Sequence, residues 1–562
     1  MGVEFTDEEK QKAADFLSKF ALEHASPEEE DSLPFRVDAP HSIGSEEIHG
    51  YVIEWAKEYL RKCNCPDDLA ATITHHATQE LLEADLTCYK LQNNKGLDVD
   101  KLVKATFNKV QEICVDWSHA PPTMFKSERS YQSCAHAIKN TRRKMEDKHI
   151  IMPYFSTLFG LPKEFPSLAF FAVYDGHGGV DAANYASANL HVFLSMNENL
   201  HTDPGLALYE TFMMTDECFG LKARAEGLKS GCTAVTVLIS NDTLHVAWLG
   251  DSQAVLSKGG EAVILMEPHK PDQKDEKDRI EALGGCVVYF GAWRVNGNLS
   301  VSRAIGDVEH KPYISGEPCL SEFILEGDEE FVVLACDGLW DTVGREEVVK
   351  LVNAHVAEGK DRGTAAKLLV DTAKQAGSSD NISVIVVFLD AHSKTNSPKD
   401  ISNPVIVQNH LETPSHNGTT KPSNSKVKNE TANSNQEQND IKNLGVSEVV
   451  DQLVPIIAKV KISTETTETI TTPTMTCKIT CKEAKSYNNS GQLAQTTKEL
   501  SLEQQTRSAE SSPKQIKKKK TKSVPPEGKA SPKTKPKASS HIDVDQKASL
   551  QKKSAPGAFK SS

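Results

Sequence analysis

No stretch of the 562-residue chain approaches the ~18 consecutive apolar residues of a membrane-spanning helix, and the opening MGVEFTDEEK lacks the basic and apolar regions of a secretory signal. An intracellular, cytoplasmic chain is therefore expected. Cysteine is scarce. The 12 present are too dilute for a disulfide scaffold, and most sit singly inside apolar runs, as Cys232 and Cys336 do, so they are expected to be reduced and buried. Cys63 with Cys65, and Cys477 with Cys481, form close pairs, but no second pair follows at zinc-finger spacing. His75 and His76 have no carboxylate or cysteine nearby in sequence, which argues against a ligand role.

The length allows two or more domains of ~100–200 residues each. Charge divides the chain sharply. Residues 391–562 hold 27 Lys and Arg against 16 Asp and Glu, or +11, which leaves −25 for residues 1–390 out of the total of −14. Residues 1–125 read as a helical region. Ile48, Val52, Trp55 and Tyr59 recur every three or four residues, as do Val103, Phe107, Val110, Cys114 and Trp117. Such stripes pack on one another or on the next domain, or else form a docking surface for another protein. At the start, Gly2 and Thr6 fit a bare myristoylation pattern, but four acids nearby would repel anionic lipid. Thr6 and Glu9 fit better as the capping box of a first helix.

Residues 131–390 read as a mixed domain. The short runs LAFFAVY, TAVTVLIS, TLHVAWL, FVVLAC and ISVIVVFL suit strands, with amphipathic helices over 207–219 and 271–283 between them. Only Asn241 and Asp242 separate the second run from the third, which predicts a hairpin and an antiparallel sheet. Residues 391–562, rich in Ser, Thr, Asn, Gln, Pro and Lys, are expected to be a disordered tail with one apolar island at 446–460. Its KQIKKKKTK run reads as a nuclear localisation signal, an anion-binding patch or a solubilising end. It lacks the interleaved aromatics that would stack on bases, so nucleic acid is not an expected partner.

The informative feature is where the aspartates fall. Asp175 follows FFAVY, Asp251 follows HVAWLG, Asp337 follows FVVLAC and Asp380 precedes NISVIVVFL. Strand ends and neighbouring strand starts share a rim in an antiparallel sheet, so these carboxylates can converge. Packed together they need a counter-charge, and an all-oxygen donor set suits Mg²⁺ or Mn²⁺ better than a softer ion. Several carboxylates suit two metals, which can sharpen a water for attack at phosphorus. The DGHGG glycines let the backbone turn tightly there and present a carbonyl. His177 is placed to protonate a leaving oxygen as general acid, and Arg142 and Arg143, before Glu146 and Asp147, supply an anion-binding fork.

The ordered blocks RRKMED, VYDGHGG, SGCTAVTVLI, LGDSQAVL, HKP, RIEALGG, RVNGNLSVSRAIGD, ACDGLWD and SSDNISVIVV resemble the metal-dependent protein serine/threonine phosphatases of type 2C over about 131–390. The resemblance implies an α+β fold, a four-layer αββα sandwich of two antiparallel sheets flanked by helices, and hydrolysis of phosphoserine and phosphothreonine by a water activated on a binuclear Mg/Mn centre. It also implies site roles. Asp175 would bridge the two metals, the Gly176 carbonyl would bind one, and Asp337 and Asp380 the other. Glu146 and Asp147 would hold coordinated waters, Asp251 and Asp341 a weaker third metal, Arg142 the phosphate, and His177 the leaving-group proton. Pro268 and Cys232 depart from the residues many members carry, and neither is a ligand. The N-terminal extension and HAIKNTRRKMED resemble the calmodulin-dependent-kinase phosphatase subgroup, which implies calmodulin-dependent or p21-activated kinases as substrates. A cysteine phosphatase, from the C-x5-R spacing of Cys218 and Arg224, and a non-catalytic phosphoprotein-binding scaffold are the competing readings.

Overall fold

The computed structural model describes residues 3–389, except 25–33, 36, 38, 39, 41, 92–95, 128 and 163, together with the backbone of Val405–Val407. The rest of the expected tail, with Cys477, Cys481, the island 446–460 and the Lys-rich run, lies outside the described residues, as does Gly2. No described helix is long and apolar enough to cross a membrane.

The chain starts with the expected capping box. Glu9 N–H donates to Thr6 Oγ1 at 3.3 Å and Thr6 N–H donates to Glu9 Oε2 at 2.8 Å, which opens α1 (Asp7–Glu23). Next come α2 (Ile48–Lys62), α3 (Asp67–Glu83) and α4 (Val99–His119). Both apolar stripes are used internally: Val52, Trp55, Tyr59, Val103, Phe107 and Val110 share one buried cluster with Leu17 and Phe20 of α1, and Trp117 packs against it. The two stripes are therefore spent on packing within this lobe.

This lobe is seated on the next domain through α5 (Asp181–Ser195). A Cβ on Gly50 of α2 would come within 1.9 Å of the Ala188 carbonyl, so the approach requires glycine. Gly50→Ala is expected to destabilise the protein by about 1–3 kcal/mol through overpacking. A thermal midpoint equal to that of the wild type would show that this contact is loose.

The strands of the second part are β1 (Ser133–Ile138), β2 (Lys148–Met152), β3 (Leu168–His177), β4 (Gly231–Ser240), β5 (Thr243–Leu249), β6 (Gln253–Lys258) and β7 (Glu261–Ile264). A hairpin of β8 (Val287–Phe290) and β9 (Ala292–Val295) follows, then β10 (Ile305–Gly306), β11 (Cys319–Ile324), β12 (Glu329–Ala335), β13 (Ile382–Phe388) and β14 (Val405–Val407). One sheet runs β7-β6-β12-β13-β1, and the other β14-β11-β5-β4-β3-β2 with β10 added on β4. The pairings are antiparallel. The predicted hairpin forms between β4 and β5, with Asn241 in the left-handed region at φ +53°.

Period-two alternation builds four layers from these strands. Phe171 and Val173 of β3, Val235 and Val237 of β4, and Val332 and Leu334 of β12 meet between the sheets. Phe170, Ala172 and Leu238 face the other way, onto α5 and α6 (Pro204–Glu226). Val333, Ala335 and Val386 of the other sheet face α8 (Arg345–Ala357) and α9 (Ala365–Gln375), while α7 (Lys274–Ala282) precedes the β8–β9 hairpin. The expected αββα sandwich is the fold.

Candidate active site

Five acidic positions sit where strands of both sheets end or begin. Asp147 precedes β2, Asp251 lies just beyond β5, Asp337 follows β12 by two residues, and Asp380 stands two residues before β13. Asp175 differs from expectation, because β3 continues through it to His177, paired with Gly231 of β4. Strand parity explains its aim: Asp175 shares the side of Phe171 and Val173, so beyond the core it faces the cleft between the sheets. The rim is thus shared by two sheets, and not by one.

The carboxylates crowd one another. The recessed position of Asp175, and then the charges of Asp147, Asp337, Asp251 and Asp380, hold its carboxyl far above the usual range. Burial, followed by the charges of Asp251, Asp341 and Asp380, pushes Asp337 up to about 7, with Lys270 pulling the other way. Asp147 is pushed up to about 6, chiefly by burial. Asp341, more exposed, is also raised, first by burial; Lys270 opposes this and Asp251 adds to it.

Lys270 Nζ donates to Asp251 Oδ2, and Arg142 Nη2 donates to Asp380 Oδ2. Arg143 is exposed and takes no part in this pairing. Asp147 Oδ2 accepts from Ser383 Oγ at 2.8 Å, yet its buried Oδ1 has no hydrogen-bond partner among the described residues. Such an orphaned carboxylate oxygen beside Asp175, in a cluster with unmet negative charge, fits a hard divalent cation.

The backbone is shaped for the same purpose. A Cβ on Gly176 would lie 2.4 Å from the Glu146 carbonyl oxygen, so the close approach of these two segments, more than a tight turn, explains the glycine. Asn381 fastens the acidic loop: its Oδ1 accepts from Glu146 N–H at 2.8 Å, and its Nδ2 donates to the carbonyls of Lys139 and Lys144.

One cysteine joins the cluster unexpectedly. Cys336 Sγ lies within 4.8 Å of carboxylate oxygens of Asp147 and Asp175. Burial keeps it a thiol, which accepts from Ser383 N–H and donates to the Asn381 carbonyl, so the donor set remains oxygen.

His177 Nε2 lies 2.6 Å from Asp307 Oδ2. Burial alone would lower the imidazole pKa, but the hydrogen bond and charge of Asp307 outweigh it, and the net shift is upward. With Nε2–H donating to Asp307, a proton for a leaving group has to come from Nδ1. Sequence reading missed Asp307, although Gly306-Asp307 repeats the Gly250-Asp251 pattern at a strand edge. It also missed the roles of Lys270, Asn381 and Ser383, which carry no spacing signal.

The cysteine-phosphatase alternative does not survive. Cys218 and Arg224 lie on one helix, α6, and burial pushes the Cys218 thiol up to about 11, the reverse of an activated nucleophile.

Comparison with known proteins agrees with this geometry. The family model described as "Protein phosphatase 2C" matches residues 131–382. Protein phosphatase 1F of Homo sapiens is 45% identical over 380 residues, 64% of this chain and 83% of that protein. The chain belongs to the protein phosphatase 2C family. Protein phosphatase 1E of Homo sapiens is 49% identical over 355 residues, and the match spans 62% of this chain but 47%, about half, of that relative. Among solved structures, the protein phosphatase 2C fold of this chain is shared with a C. elegans sex determining protein, at TM-score 0.54 and 23% identity, over 67% of this chain and 93% of that one.

Proposed function

We propose that this chain is a metal-dependent protein serine/threonine phosphatase that removes phosphate from protein kinases of the calmodulin-dependent and p21-activated types. The observation that carries the chemistry is the convergence of Asp147, Asp175, Asp251, Asp337 and Asp380 with too few cations to balance them. Asp175, the Gly176 carbonyl, Asp337 and Asp380 would hold two Mg²⁺ or Mn²⁺ ions, with Glu146 and Asp147 acting through water and Asp251 with Asp341 serving a weaker third site. When bound, the ions supply the charge that acidifies the attacking water and neutralises the phosphoryl oxygens.

The protein's own groups do the rest. Arg142, now on Asp380, turns its guanidinium to the non-bridging phosphate oxygens. His177 delivers the Nδ1 proton to the departing serine or threonine oxygen, and Asp307 holds the ring and stabilises its charged form. Water is the nucleophile and no phosphoenzyme forms. The kinase substrates are supported by the subgroup resemblance of the N-terminal extension. Cytoplasmic residence, with nuclear entry through KQIKKKKTK, completes the reading.

Hydrolysis of p-nitrophenyl phosphate tests it. Turnover is expected with Mn²⁺ or Mg²⁺, abolished by EDTA and retained in Cys218→Ser. Turnover that persists in EDTA would sink the metal reading, and none under any condition would favour the phosphoprotein-binding scaffold.

A further inference from the structure

The loop between β1 and β2 concentrates positive charge in an acidic region. Residues 1–390 carry a net charge of −25, yet Lys139, Arg142, Arg143 and Lys144 fall within six positions that contain no acid. All four are exposed. Arg142 holds Asp380, whereas Lys139, Arg143 and Lys144 meet no acid among the described residues. Other cations of the domain are taken up by neighbours: Lys258 by Glu326 and Glu329, Arg303 by Glu276, Lys311 by Asp216.

The backbone under these side chains is fixed. Asn140 takes the left-handed conformation at φ +51°, and its Nδ2 donates to the Ser378 carbonyl at 2.6 Å. Thr141 Oγ1 donates to the Ser379 carbonyl, also at 2.6 Å. Asn381 Nδ2 donates to the Lys139 and Lys144 carbonyls at 2.9 and 3.0 Å. Both ends of the basic stretch are therefore fastened to the segment that carries Asp380. These bonds use backbone carbonyls, Asn and Thr, and leave the cationic heads free. An anion that settles here has side chains to order but no loop, which lowers the entropy cost of binding it.

We propose that Arg143, with Lys139 and Lys144, is a specificity-determining element that binds an anionic residue two or three positions from the phosphorylated serine or threonine of the protein substrate. The proposal rests on the phosphatase reading, in which Arg142 grips the phosphate. Arg143 and Lys144 start about 4 Å and at most about 7 Å of backbone beyond Arg142. Two or three extended substrate residues span about 7–11 Å, so a phosphate on Arg142 brings its flanking side chains within range of these cations. The ligand is a carboxylate or a second phosphoryl group, since the planar guanidinium fork suits either and the lysines add point charge.

The test uses the full-length protein in Mn²⁺ and a neutral phosphothreonine peptide. Its counterparts carry two glutamates immediately flanking the second position before or after the phosphothreonine, two glutamates eight residues away, or two lysines nearby. A further counterpart replaces the nearby glutamates by one non-hydrolysable phosphonate. On at least one side, nearby glutamates are expected to raise kcat/KM roughly fivefold, mainly through KM, and 0.5 M salt to erase most of the gain. A larger gain with the phosphonate identifies a doubly phosphorylated substrate, and a smaller one an acidic sequence. Arg143→Glu is expected to turn the preference toward the lysine peptide, and Lys139→Gln with Lys144→Gln to reduce it.

Equal kcat/KM for the neutral and nearby-glutamate peptides would overturn the proposal, as would a preference that survives Arg143→Glu. An equal gain from distant glutamates would overturn it too, in favour of long-range attraction. A loss of turnover that is the same on every peptide would make the loop structural. Kd values from fluorescence anisotropy, with a phosphonate in place of the phosphothreonine, give the same comparison without turnover. A chain that hydrolyses none of the peptides would thus fail the phosphatase reading, while the ratio of Kd values would still decide the role of Arg143.

Discussion

Asp337→Asn is expected to reduce hydrolysis of p-nitrophenyl phosphate by roughly 10²–10³-fold or more, the scale on which single electrostatic groups act, and to raise the thermal midpoint of the metal-free protein. The two effects share one cause. Without cations, burial and then the charges of Asp251, Asp341 and Asp380 oppose ionisation of Asp337, so its carboxylate strains the fold, and a neutral amide of the same shape relieves that strain. With cations the same charge becomes an attraction that the amide forfeits. Calorimetry in EDTA and in excess Mn²⁺ separates the cases: the variant should be more stable than wild type in the first and gain less from metal in the second. Lower stability in both buffers would mean that the residue is structural and that the cluster is not built around ions.

His177→Gln should lower turnover of a phosphoserine peptide by roughly 10²–10⁴-fold, the range for a lost general acid. The loss on p-nitrophenyl phosphate should be far smaller, because nitrophenolate leaves without needing a proton. Asp307→Asn should show the same substrate dependence more weakly, since it keeps the imidazole in place but no longer stabilises its charged form. Equal losses on both substrates would remove His177 from the leaving-group step and leave it a positioning role.

The positions of Asp175, Asp251, Asp337 and Asp380 along the chain were legible because each borders an apolar run whose strand character is local. The Thr6–Glu9 cap and the Asn241–Asp242 hairpin were legible for the same reason, being set by neighbours within a few residues. Asp307 was not, because its partner His177 lies 130 residues away and only the pairing of β10 with β4 brings them together. The same holds for Ser383 on Asp147 and Asn381 on the Glu146 backbone, each a contact between the two sheets or their loops. Cys336 was read as buried filler, and nothing in its spacing showed that its thiol would stand beside the acids.

Local sequence determined the strands, the helices, the acidic character of their ends and the family motifs, since hydrophobic period and turn chemistry act over a few residues. Only the tertiary structure decided that the acids of two different sheets face one cleft, and which of them are paired with a cation. Those outcomes depend on strand order and register, and the sequence expresses these through burial across the whole domain.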